Sequence, residues 1–268
     1  MSHLLRNQAP ITDAGWKLLD DEATERLTVA LGARKLVDFD GPFGWQYSAT
    51  NLGRVGDVVD APAESVIARQ RQVLPLAEVR ADFSISRHEL ANHYRGSVDP
   101  DLSALDAAAL RMAAVENAAV FHGWDELGIT GITEASPHDP VPHEADPARY
   151  VQQVASGVAT LKRSGIGGPY GLAVGPADWV DVIEGGERGG YPVLTHLHKI
   201  LDGPIVWVPG ITGGVVVSIR GGDFLFESGE DLSIGYANHD ATSIDLYLEE
   251  SFSFRVATPE AAIALAAE

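Results

Sequence analysis

The chain has 268 residues, 45% hydrophobic and 21% charged, enough to bury a core as one large domain or two modest ones and too apolar for disorder. A formal net charge of −19 excludes nucleic acid as the main partner, since phosphate binding needs a basic patch. The absence of cysteine removes disulfides, thiolate metal sites and cysteine nucleophiles; with no signal-peptide core and no apolar run of membrane-spanning length, a soluble cytoplasmic protein is expected, with no membrane partner.

In chain order, Thr12 is placed to cap a helix running to about Leu31, with Trp16, Leu19, Ala23, Leu27 and Leu31 at helical spacing and Gly32 as a stop. The following segment, GARKLVDFDGPFGWQYSATNLGRV, is glycine-punctuated and aromatic and reads as extended. Val79, Ala81, Phe83 and Ile85 alternate with Arg80, Asp82 and Ser84, the pattern of a half-buried strand. Residues 45–85 are therefore expected to form a long two-stranded excursion that turns near Asp60, Ala61 and Pro62. A helix over about 101–123 follows, capped by Asp101 or Ser103, rich in alanine and ended by Gly123. TEASPHDPVPHEADP, with four prolines, reads as a loop or boundary.

From about Ala148 to Gly222 helical and strand signals alternate, as in a compact α/β unit. Beyond it, Ile244, Leu246, Leu248, Phe252, Phe254 and Val256 share one face of a long strand. Glu250 falls in the same register, which predicts a bulge or an acid at a subunit contact. A short helix capped by Thr258, PEAAIALAAE, is expected to close the chain.

The stretch SRHELANHYRG at 86–96 resembles a zinc-protease signature, in which two histidines four apart bracket a catalytic glutamate. His88 and His93 are five apart, which separates them by roughly 140° around a regular helix, so the two cannot reach one ion. His196 and His198 in THLHK fall in a helical stretch, where an i, i+2 pair diverges. The glycine runs RSGIGGPYG and GERGGY lack the lysine and hydroxyl residue of a phosphate loop, and no G-x-S-x-G elbow occurs. No metal site and no catalytic set is therefore expected. Two alternatives stay open: a metal-dependent hydrolase using His88, Glu89 and His93, and a monomeric small-ligand binding module built on 148–222.

Several short segments carry a resemblance across nearly the whole chain: GARKLVD at 32–38, GPFGW at 41–45, Arg95–Gly96, GPY at 168–170, RGGDF at 220–224 and DLSIGY at 231–236. In that order they resemble the shell proteins of family 1 bacterial encapsulin nanocompartments, also grouped as linocin- or bacteriocin-like proteins. The resemblance implies no enzyme but a structural subunit with an α+β, tailed-bacteriophage major-capsid-like fold. It implies an N-terminal helix and arm over 1–44 and an extended loop over 45–85. A peripheral domain would be built from 86–135 and 223–268 around a spine helix at about 101–123, with an axial α/β domain over 136–222. It implies self-assembly into a T=1-like icosahedral shell of about 60 copies, closed by heterologous contacts, enclosing a cargo such as a dye-decolourising peroxidase or an iron-storing ferritin-like protein.

By the same resemblance, cargo would be captured through a C-terminal peptide in an interior groove around Arg34, Asp38, Leu232 and Ile234. A pore region would include Gly185, Gly186, Glu187, Arg188, His196 and His198. Some members carry a tryptophan where His88 stands here and stack a flavin on it; with histidine at that position no cofactor is expected.

Overall fold

A computed structural model describes residues 3–143, 147–184 and 192–267. Thr12 accepts a hydrogen bond from the Gly15 amide and starts helix α1, Asp13–Ala30, which buries Trp16, Leu19, Ala23 and Leu27 along one face. A tight turn holding Arg34 leads to the short strand β1, Asp38–Asp40. Strands β2, Ala49–Val59, and β3, Ala68–Pro75, pair antiparallel with each other and, among the described residues, with no other strand. Strand β4, Ala77–Ser86, helix α2, Arg87–Tyr94, and the twenty-residue helix α3, Ser103–His122, complete the first half.

The two-stranded excursion expected over 45–85 is thus shorter. Only 49–75 is a hairpin, and the alternating 77–86 strand joins a different sheet, where its apolar face has a core to bury against.

After α4, Ile132–Ala135, the expected loop contains a short strand, β5, Val141–His143. Then come α5, Pro147–Arg163; β6, Tyr170–Val174; α6, Pro176–Glu184; α7, Val193–Leu201; β7, Ile205–Trp207; and β8, Gly214–Ser218. Strands β9, Phe224–Ser228, β10, Ser233–His239, and β11, Ser243–Val256, follow, and β12, Ala262–Ala267, ends the described chain.

Two five-stranded sheets organise these elements. In the first, β11 pairs along one edge with β4 and along the other with β10 and then β9, while β1 adds parallel to β9. Helices α1 and α3 cover it, enclosing Leu19, Leu105, Met112, Ile234, Leu246 and Leu248. The second runs β5-β12-β8-β6-β7, and α5 and α7 pack against it around Val154, Leu161, Leu172, Leu197 and Val216.

Two expectations fail here. Residues 259–267 are not a helix: a 3-10 turn at Pro259–Ala261 leads into β12, which lies antiparallel to β8 and parallel to β5. Alanine favours helix only where tertiary pairing does not decide, and here both neighbouring strands are waiting. The last strand therefore completes the sheet of the 136–222 unit rather than that of 223–256. For the same reason 148–222 is no independent module, since two of its sheet's five strands come from outside it.

Candidate functional site

The arm is the first candidate. Gly41, at φ +115°, starts its root, and a Cβ there would lie 2.5 Å from the Ser228 carbonyl oxygen. The amides of Phe43 and Gly44 donate to the carbonyls of Ser228 and Gly229. Tyr47 and Thr50 both donate to one oxygen of Glu227, at 2.5 and 2.7 Å, and Thr50 also bonds the buried Ser253 at 2.6 Å. Burial first, then the bond to Glu227, raise the Tyr47 hydroxyl above its ordinary pKa. Beyond this fixed root the hairpin carries two register shifts and exposes Val55, Val58, Val59, Val66, Ile67 and Val73. Two strands alone are marginal in water, and exposed apolar side chains on such a hairpin call for a further surface.

The second candidate is a groove of about 310 Å³ between α1 and the turn before β10. Thr24, Leu27, Thr28, Leu31, Arg34, Lys35, Asp231 and Leu232 line it. Leu232 is half-buried at its wall. Ile234 is only 3% exposed and packs in the core opposite Leu248, so it backs the groove and does not line it. Two residues of an extended segment share a face only where the segment is a strand, and β10 starts at Ser233, after Leu232. Asp38 is exposed but sits elsewhere, its Oδ2 accepting from the Gly222 amide at 2.6 Å. Of the four residues expected there, Arg34 and Leu232 come together; Asp38 and Ile234 do not join them.

Arg34 serves the interior more than the groove. Its Nε and Nη2 hold Glu116 of α3 at 2.8 and 2.6 Å, Nη2 reaches Glu250 at 3.1 Å, and Nη1 holds Asp231 at 2.7 Å. The guanidinium also lies over the Phe39 ring, 4.8 Å from its centroid. Burial opposes its charge, but Glu116, Glu250 and Asp231 outweigh that and hold its pKa above the usual arginine value. Glu250 is neither in a bulge nor at the surface; β11 runs through it in unbroken register with β4, opposite Val79. Its place among apolar neighbours was the visible sign of a buried partner. Glu116 and Asp231 gave no such sign.

The remaining expected residues are scattered. Gly185, Gly186, Glu187 and Arg188 lie outside the described residues; His196 and His198 are on α7, half-buried and exposed. His88 is exposed at the start of α2, while Glu89 accepts from Asn92 and from the Asp101 amide, tying α2 to the loop before α3. Among the described residues no group of three or more His, Asp or Glu side chains could hold a metal. A hydrolase built on His88, Glu89 and His93 is not favoured. No helix among the described residues is long and apolar enough to cross a membrane.

With this geometry established, comparison with known proteins is decisive. Residues 1–253 match the family model described as "Encapsulating protein for peroxidase". The chain belongs to that family. It is 43% identical to the type 1 encapsulin shell protein of Rhodospirillum rubrum, over 99% of this chain and 96% of that one. It is 36% identical to that of Mycobacterium tuberculosis, over 99% of each. Among solved structures, the virus-like particle of Pyrococcus furiosus aligns with a TM-score of 0.65 at 16% identity, covering 94% of this chain and 99% of that one. The capsid of an empty GTA particle gives 0.55 at 12% identity, covering 87% and 88%. The fold is thus that of phage-type capsid proteins, and this encapsulin chain is a shell subunit, a structural protein and not an enzyme.

Proposed function

We propose that this chain assembles in the cytoplasm into a closed icosahedral shell of about 60 copies and that the shell encloses a peroxidase held by its own C-terminal peptide. The observation that carries the reading is the arm: a hairpin of exposed valines on a rigid root, with no third strand beside it among the described residues. Docked on a neighbouring copy, it gains the third surface that a lone hairpin lacks.

The α1 groove supports cargo capture, since Leu27, Leu31 and Leu232 offer an apolar floor beside Lys35 and Asp231. Each site binds an apolar peptide weakly, and a multimeric cargo engages several at once. The family's description favours a peroxidase over a ferritin-like cargo. By the family resemblance, Gly185, Gly186, Glu187, Arg188, His196 and His198 are proposed to belong to the passage for small molecules. Negative-stain microscopy of the purified protein tests assembly: uniform closed particles are expected, and a small soluble oligomer refutes it. Co-expression with a peroxidase carrying or lacking its C-terminal peptide tests capture, with enzyme activity expected in the particle fraction only when the peptide is present.

A further inference from the structure

The cluster around Arg34 poses a charge problem independent of shell assembly. One guanidinium faces Glu116 from α3, Glu250 from β11 and Asp231 from the turn before β10. Glu116 and Glu250 are 0% and 1% exposed, whereas the Asp231 side chain is 42% exposed and reaches solvent at the groove. On its fourth side Glu250 faces Val79 of β4, which brings no charge.

With every acid ionised, two buried carboxylates would oppose a single cation, leaving a net negative charge out of reach of water. Such a charge is far costlier than a neutral carboxyl. The geometry names the site of neutralisation. Both Glu116 oxygens accept from Arg34, while Glu250 has one oxygen at 3.1 Å and its Oε1 buried with no hydrogen-bond partner among the described residues.

We infer that Glu250 is protonated in the folded chain: neutral, it lets Arg34 hold β11, α3 and the turn before β10 together without excess buried charge, and losing the proton as pH rises loosens the cluster behind the groove. Burial first, then repulsion from Glu116, push the Glu250 carboxyl well above its ordinary value, and Arg34 only partly offsets them. The folded chain therefore keeps this proton at pH values where an unfolded glutamate has released it. Stability from this group is full below the ordinary carboxylate range and falls as pH rises towards the folded value.

Infrared difference spectroscopy on the full chain, paired with thermal unfolding across the neutral to alkaline range, tests the inference. Of 38 acidic residues, Glu250 is expected to supply a protonated-carboxyl band at neutral pH that bleaches on alkalinisation, while the unfolding midpoint drops. In Glu250→Gln the band is expected to vanish and the drop to flatten. In Glu116→Gln, where Arg34 faces one buried carboxylate only, the neutral-pH band is expected to vanish as Glu250 ionises. A wild-type protein without the band at neutral pH, or a Glu250→Gln protein that keeps both band and drop, overturns the inference. Should either variant fail to fold, a wild-type protein without the band still overturns the inference.

Discussion

Strands β2 and β11 are the two longest in the chain, 11 and 14 residues, and they are used in opposite ways. Along β11 every side chain from Leu246 to Phe254 is buried, because β4 lies on one edge, β10 and β9 on the other, and α3 across a face. Along β2 only Thr50 is buried, and it belongs to the root. Past Thr50 the arm holds its shape through one partner strand and leaves its valines to solvent. The contrast separates what a subunit needs in order to fold from what it keeps for its neighbours. In β11 the apolar surface is spent inside the chain; in the arm it is held for another copy.

The comparison breaks most completely if the arm is dispensable. Deleting 52–72 is expected to leave the helical circular dichroism intact, since the removed segment is largely exposed and its strands pair with each other, and to replace closed particles with small oligomers on size exclusion. Intact particles from that variant would dissolve the distinction.

Truncating one side chain in each region sharpens it. Phe254→Ala in β11, at a position 2% exposed, is expected to cost the subunit about 3–5 kcal/mol. Val58→Ala, at a position 54% exposed, should change subunit stability by no more than about 0.5 kcal/mol. Denaturant titration of dissociated subunits measures both. In assembled particles Val58→Ala should instead lower the denaturant concentration at which subunits come apart.

A smaller effect, confined to cargo, is expected at the groove. Leu232→Asp should leave particles whole and reduce peroxidase co-purification. Ile234→Asp, only two residues on, should lower folding stability itself, because it places a charge in the core. Equal co-purification from wild-type and Leu232→Asp particles would place the peptide elsewhere.

How far the sequence discloses all this depends on whether a residue's partners are local. The alternation over 244–256 and the helical spacing of Trp16, Leu19, Ala23 and Leu27 are local, and both elements are found where their periods place them. β12 is alanine-rich and short, and only β5 and β8, distant in sequence, make it a strand. β5 itself spans Pro142 and reads as loop for the same reason. In the candidate groove, Leu232 and Ile234 were named together by the resemblance, and nothing separates them without knowing where β10 begins. Arg34 was visible as a charged residue in GARKLVD, one of the segments that carry the resemblance. Its three acids come from residues 82, 197 and 216 positions away, so no spacing rule points to them.

The direct measurement of the central claim is hydrogen exchange on the amides of β2, β3 and β11, in assembled particles and in dissociated subunits. The account predicts that β11 is protected in both states, while the arm beyond its root is protected only in particles and exchanges rapidly once subunits separate. Arm amides equally protected in dissociated subunits, or unprotected in intact particles, would contradict it.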